Sequence, residues 1–343
     1  MTDRQTDRQT DRQTDRQTDR SISAIRFIAF VFIVTCHILQ YLDDELAWWF
    51  NVGVQMFLFI SGYLYGCKYF EKQIDIPKFY KKRITKILLP YFFVIVIVLL
   101  IHVFVLHESF SKMTVFQLAI CNTFLPGGEH LWFVPTILIC YIITPIIIQF
   151  FTKADKQTSF IVSFIVICVS AFITFRFFVV YYNPACIICY IIGIACGVNT
   201  QKHFIKIKIV NIFLLLLTSQ SILQIINNYC YQIINPENTY YKIWCDFNHV
   251  WLGIAIFIVL KFIFSKIKFD NSKIFVVALN TSDKYSYEGY LVHQFMILGP
   301  LSLMSLTNIL ALNIILIVLL ICIFAVVVKT FELLVTKVSK GKI

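Results

Sequence analysis

The chain has 343 residues, 59% of them hydrophobic and 14% charged, with a formal net charge of +11 and a mean hydropathy of +0.77. A soluble domain is nearer half apolar and a quarter charged, so the composition excludes an ordinary soluble fold; length alone would allow two soluble domains, but one membrane domain is read here. The positive balance does not point to nucleic acid, because the basic residues sit in short loops between apolar runs, the distribution of cytoplasmic loops beside a bilayer.

Residues 1–20 repeat the tetrapeptide Thr-Asp-Arg-Gln and carry no apolar side chain beyond the initial Met1. Nothing in the repeat can be buried, so a disordered tail is expected, followed by one transmembrane domain over residues 21–343. The stretch is long and charge-balanced, and no small-residue cleavage site follows the first apolar run. It does not read as a signal peptide, and the first helix is expected to be retained. The repeat has a second meaning. A four-base DNA unit read in triplets gives a four-codon cycle, and repeated ACAG encodes Thr-Asp-Arg-Gln. The gene is expected to begin with a tandem tract of this kind, whose slippage during replication switches expression by frameshift.

Apolar runs then recur, each near the about 20 residues that a helix needs to cross a hydrocarbon core. They cover 22–42, 48–66, 87–106, 131–151, 160–180, 186–198, 209–226, 250–264, 287–303 and 309–328. The expected fold is all-α: a polytopic integral membrane bundle of about ten transmembrane helices. With these spans, all of the 30 lysines and arginines except Lys112, Arg176 and Lys242 fall on one side. By the positive-inside rule that side is the cytoplasm, and both termini lie there. The first outer loop, with Asp43, Asp44 and Glu45, is acidic, which is compatible with the assignment.

The cysteines lie mostly inside apolar runs, where they behave as small hydrophobes. Cys186 and Cys189 have the spacing of a redox pair but belong to an apolar helix, and packing is the expected role. No Cys/His set has zinc spacing, so no metal site is expected. Ser61 and Gly62 read as a small pair that permits close backbone approach. Trp48, Trp49 and Trp251 read as interfacial belt residues.

Ionisable groups inside a membrane helix are costly and are functional candidates by default. The first helix holds two, Arg26 and His37. Eleven residues make about three turns plus roughly 20°, so both project from one face, separated by roughly 16 Å along the axis. Each also has a plainer reading. Arg26 can be an interfacial anchor, and His37 can be bonded to a neighbouring helix. The shared face favours a joint role, and spacing goes no further.

The motifs go further. Arg26 through His37 matches an Arg-x10-His pattern. The stretch from Asn51 to Gly62 matches a Gly-Val-x-x-Phe-Phe-x-x-Ser-Gly helix. Lys82, Arg83 and Lys86, followed by Pro90, match a basic stretch before a third helix. His130-Leu-Trp-Phe133 and Tyr290-Leu-Val-His293 complete the series. In this order the motifs resemble the membrane acyltransferase-3 family, over nearly the whole chain after the repeat. The resemblance implies an O-acyltransferase of the bacterial inner membrane. The donor is acyl-CoA, usually acetyl-CoA, arriving from the cytoplasm as a substrate and not as a permanently bound cofactor. The acceptor is a hydroxyl of a surface polysaccharide, capsule or lipopolysaccharide, or of a lipid-linked oligosaccharide precursor.

On that likeness Arg83 and Lys86 hold the donor's phosphates. His37 takes the proton of a sugar hydroxyl or accepts the acyl group itself. Arg26 orients the donor or stabilises the thioester oxyanion. Glu129, His130 and Trp132 open the fourth helix on the outer side, where an acceptor sugar binds, with capping and interface polarity as the alternative. His293 is a second candidate histidine. The sequence departs from the family in two ways. Lys86 stands where Arg is usual, keeping the charge without the planar fork. The chain also ends soon after the tenth span, where some relatives continue into a periplasmic hydrolase-like domain, so transfer is completed in the membrane domain or with a periplasmic partner protein. Two competing functions remain: succinyl transfer to a periplasmic glucan or amino-sugar polymer, and export of a polymer or lipid-linked sugar.

Overall fold

A computed structural model describes residues 3–121, 123–177, 184–202, 239–267, 269 and 272–338, and all regular structure among them is helical. In chain order the helices are α1 (Asp3–Tyr41), α2 (Ala47–Phe50), α3 (Gly53–Lys68), α4 (Ile76–Phe104) and α5 (Lys112–Ala119). A 3₁₀ turn (Glu129–Trp132) leads into α6 (Phe133–Lys153), followed by α7 (Lys156–Phe177) and α8 (Pro184–Gln201). The last three are α9 (Thr239–Ser265), α10 (Lys273–Ile297) and α11 (Leu310–Val338). Local sequence sets several starts. Asp75 accepts a hydrogen bond from the Lys78 amide to open α4, with a proline in its first turn, and Ser111 does the same for α5 through Thr114.

Among the described residues six helices are long and apolar enough to cross a bilayer: Arg20–Tyr41, Ala47–Lys68, Ile76–Phe104, Glu129–Lys153, Phe247–Ser265 and Leu310–Val338. The expectation of about ten is met only to that extent. The run 209–226 and the end of the run 160–180 lie outside the described residues. In α8 the apolar stretch, Ala185–Gln201, is short for a span. The ninth expected span, 287–303, begins fourteen residues too late, since α10 starts at Lys273. Asp283, Lys284 and Glu288 break its apolar pattern, and all three turn into a cavity described below. The backbone of α1 is already helical at Asp3. Arg and Gln are good helix formers, and a helix nucleated in the apolar segment extends at one hydrogen bond per residue without needing burial.

The outside of the bundle is apolar. Phe160, Phe104 and Ile146 are 74%, 70% and 69% exposed, and such continuous apolar surface suits lipid rather than water. The chain is a multi-pass membrane protein. Its tightest contact joins α3 and α8. A Cβ on Gly62 or Gly66 would strike the backbone oxygens of Tyr190 or Ile194, and one on Gly193 or Gly197 would strike those of Phe59 or Tyr63. Two glycines one turn apart on each helix therefore let the backbones touch, the small-xxx-small device of membrane helices. Cys186 and Cys189 are buried beside this contact, and the Cys189 thiol lies 3.2 Å from the Gln55 carbonyl oxygen.

Helix α1 runs parallel to α10. Arg26 meets Asp283 and, eleven residues on, His37 meets His293, ten residues on in α10. Both residues of the first helix thus face the same neighbour.

The α3–α8 contact predicts that Gly62→Leu and Gly193→Leu each lower the thermal unfolding midpoint of the detergent-solubilised protein. Overpacking costs about 1–3 kcal/mol or more. Ile146→Leu, on the lipid-facing side of α6, is expected to leave the midpoint near that of the wild type. Unchanged midpoints in both glycine variants would show that the contact is not formed.

Candidate active site

One end of the bundle holds a cavity of about 800 Å³, within the usual range for small-molecule sites. Six basic residues line it: Arg26 from α1, Lys68 from α3, Lys72 from the following loop, Arg83 and Lys86 from α4, and Lys284 from α10. Only Asp283 and Glu288 oppose them in the lining. The local potential is therefore strongly positive and suits a polyanion.

The cations are held differently. Arg26 is committed, with Nη1 2.5 Å from Asp283 Oδ1. Arg83 is not. Its guanidinium lies 4.9 Å from the centre of the Tyr65 ring and 5.9 Å from those of Phe79 and Tyr141. Its Nε is buried without a partner. An arginine stacked on aromatic faces keeps its fork of donors for a ligand. Lys86 is in electrostatic reach of Arg83 and Lys329, and of Glu288 and Glu332. Lys329 pins α11 to α10 by pairing with Glu288 at 3.0 Å, and it also pairs with Glu332 of its own helix at 2.6 Å. The second oxygen of Glu288 is buried and unpaired.

Tyr290 forms the wall between this cavity and a cluster of histidines. It lines the cavity, and its ring centre is 5.3 Å from those of both His130 and His293. Behind it the His37 and His293 rings are 5.1 Å apart, His130 and His293 4.9 Å, and His37 and His130 6.5 Å. His130 and His293 are buried, while His37 is partly exposed.

Backbone and amide oxygens fix the tautomer of each ring. His293 Nδ1 lies 2.6 Å from the Tyr290 carbonyl, His130 Nε2 lies 3.3 Å from the Leu291 carbonyl, and His37 Nδ1 lies 2.7 Å from Gln40 Oε1. Those oxygens only accept, so the ring nitrogens that face them carry the hydrogens. In the neutral rings the other nitrogen is then an acceptor. Two of these, His130 Nδ1 and His293 Nε2, are buried without partners. The cluster presents lone pairs and lacks a proton between them, which is the state of a base waiting for an O–H donor. Among the described residues, no group of three or more His, Cys, Asp and Glu is arranged to hold a metal ion.

Two loops bring the distant histidines together. The Tyr290 hydroxyl donates to the His130 carbonyl at 2.5 Å. The Gln294 amide donates to Glu129 at 2.9 Å, and the other Glu129 oxygen accepts from the Gly127 amide at 3.2 Å. Gly127 and Gly299 lie in the left-handed region, at φ of 81° and 80°. A Cβ on Gly299 would sit 2.6 Å from the Gly127 Cα, so only glycine allows the loops to meet.

The structure therefore brings His37, His130 and His293 together at one end and Arg26, Arg83 and Lys86 at the other. Glu129 stands beside the histidines through Gln294. Trp132 packs against the core and contributes its carbonyl to the Thr136 hydroxyl, and no contact ties its ring to the histidine rings. Asp283, Glu288, Lys329, Gln40, Gln294 and the Tyr290 side chain escape the sequence reading. For Asp283 and Glu288 a signal exists, since a charge beside an apolar run defaults to function. For the others there is none short of the fold.

A family model described as an acyltransferase domain matches residues 19–330. No curated protein and no solved structure matches the chain. The matched range runs from the start of the first membrane span through most of α11 and contains both the cationic cavity and the three histidines. The chain belongs to the acyltransferase-3 family.

Proposed function

We propose that the protein moves an acyl group, most simply acetyl, from cytoplasmic acyl-CoA to a hydroxyl of a surface polysaccharide or its lipid-linked precursor, in a bacterial inner membrane. One observation carries the proposal. A cation-lined cavity ends at Tyr290, and three histidines with free lone pairs stand directly behind it. The donor's phosphates bind Arg83 and Lys86, and its thioester arm extends along α1 past Tyr290. Arg26 and His37 are roughly 16 Å apart along α1, so Arg26 is too far away to stabilise an oxyanion beside His37. This separation favours Arg26, held by Asp283, as the residue that orients the donor.

At the other end His37 Nε2 takes the proton of the acceptor hydroxyl as its oxygen attacks the thioester carbonyl. The tetrahedral intermediate collapses to the ester, and the thiolate leaves with the proton from the imidazolium. If His37 instead accepts the acyl group, the same lone pair attacks first and the hydroxyl attacks the acyl-imidazole. The groups that touch the three rings are aromatic, amide or backbone, none a lysine or arginine among the described residues. That setting suits a neutral acyl group better than succinyl, whose second carboxylate would find no cation there.

The prediction is direct. His37→Ala leaves the protein inserted and abundant but cuts transfer of radiolabelled acetyl from acetyl-CoA to the polymer by about 10²–10⁴-fold. Arg26→Lys keeps the charge and loses the planar fork, and transfer falls strongly at normal abundance. A wild-type rate in His37→Ala would remove His37 from the chemistry.

Orientation follows from the basic asymmetry of the loops. A reporter fused within 72–81 is expected to read as cytoplasmic and one within 106–128 as outer-side. Matching signals would break the span map.

The repeat adds a regulatory expectation. Surface structures gain from variation, and a slipping tract at the start of the gene supplies it. The codons for residues 2–20 are expected to be a near-perfect four-base tandem repeat whose length differs between clonal isolates. Mixed synonymous codons would contradict this.

A further inference from the structure

Lys261 lies in the last turns of α9, within a helix long and apolar enough to span the membrane. A lysine near such an end ordinarily snorkels, with its stem on apolar surface and its ammonium in water. Lys261 turns inward instead. Its ammonium lies 4.0 Å from the centre of the Tyr63 ring and 5.8 Å from that of Phe257, and it donates to the Tyr63 hydroxyl. The other ionisable groups in its electrostatic reach are the Cys67 and Cys196 thiols. Among the described residues no carboxylate pairs with it, since the ion pairs belong to Arg26, His102 and Lys329. A half-buried cation that faces only neutral groups calls for an anion.

Tyr63 leads from that cation to the cavity. Tyr63 and Cys67, one turn apart on α3, both line the cationic cavity, and Lys261 stands behind them. An ammonium only donates, so the phenol oxygen accepts from Lys261 and keeps its own hydrogen. The neighbouring charge polarises that O–H and makes it a stronger donor. The acceptors within its reach are weak. They are the Cys67 sulfur and the Thr200 hydroxyl, and the latter is itself bonded to the Cys196 carbonyl at 2.7 Å. A phosphate oxygen is a charged acceptor and makes a hydrogen bond roughly twice as strong.

The position fits the donor. Tyr65, two residues along α3, lines the same cavity and stacks with the Arg83 guanidinium at 4.9 Å. Tyr63 thus borders the volume into which Arg83 and Lys86 bring their charges. An anionic lipid headgroup offers the same phosphate chemistry, but the Lys261 ammonium rests on a ring that lines the cavity.

We propose that Tyr63 is a phosphate-binding residue of the donor site and that Lys261 is its positioning residue, which supplies charge through the Tyr63 hydroxyl. That the phosphate belongs to acyl-CoA rests on the acyl-transfer reading.

The test uses the full chain in phosphatidylcholine nanodiscs, with CoA for binding by calorimetry and acetyl-CoA or acetyl-pantetheine for transfer. Tyr63→Phe keeps the ring and deletes the O–H, and Lys261→Met keeps the stem and deletes the charge. Each is expected to weaken CoA binding and raise the acetyl-CoA KM about tenfold, the loss of one hydrogen bond to a charged group. The kcat stays near that of the wild type. The KM for acetyl-pantetheine, which carries no phosphate, does not move. The double variant binds CoA no more weakly than Tyr63→Phe, because Lys261 acts through that hydroxyl, and Lys261→Arg recovers most of the affinity. A purely structural role would raise both KM values alike or lower the folded yield of both variants, and would overturn the proposal. So would wild-type CoA affinity in both single variants, which leaves the acyl-CoA reading standing. A wild-type protein that binds no CoA would remove that reading and the proposal together. Phosphatidylglycerol added to the nanodiscs separates the lipid from the donor. The effects of both substitutions are expected to be the same with and without it. CoA affinity that falls on its addition in the wild type but not in Lys261→Met would assign the site to a lipid headgroup and overturn the proposal.

Discussion

An arginine and an aspartate that meet across the cavity wall constrain everything around them. Arg26 and Asp283, with side chains 25% and 32% exposed, pair across α1 and α10 and so set the register of one helix against the other. A shift of one residue on either helix would turn a charge towards the neighbouring side chains or lipid. With that register fixed, His37 comes level with His293, and Tyr290 of α10 comes level with the 3₁₀ turn that carries His130. The cationic cavity and the histidine cluster are thus two ends of one helix pair.

The second constraint is backbone contact between α3 and α8. It joins two elements that each take part in the site. The α3 side carries Tyr65, whose ring stacks with the Arg83 guanidinium. The α8 side carries Tyr190, whose hydroxyl bonds to Thr144 of α6 at 2.6 Å. The cavity therefore has a stiff wall in α3, α6 and α8, facing the paired α1 and α10.

Sequence reading succeeds where a single helix holds the information. The eleven-residue spacing of Arg26 and His37 is a property of α1 alone, and both residues do face α10. Membrane class follows from hydropathy, because lipid contact demands it everywhere at once. It fails where two distant segments must meet. His130 and His293 each look like an isolated polar residue in an apolar run, and nothing local says that their rings lie 4.9 Å apart. Asp283 and Glu288 mislead for a physical reason. Hydropathy treats a charge as a reason to end a span, whereas here α10 begins ten residues before Asp283 and turns that face inward. Gly62 reads correctly as a packing residue, but its partners Gly193 and Gly197 need the fold to be seen.

Tyr290 has a further consequence for the cell. On the proposed reading a thioester arm passes Tyr290, and a route wide enough for it is wide enough for water and for protons. Moving one elementary charge through a membrane potential of 100 mV is worth about 2.3 kcal/mol, and a permanently open route would dissipate that store. Tyr290 is 5% exposed, is packed on Phe133 at 5.1 Å and is tied by its hydroxyl to the His130 backbone. It divides the cationic cavity from the histidines as a plug of insulation. On that reading the same ring keeps the bilayer electrically tight while no donor is bound.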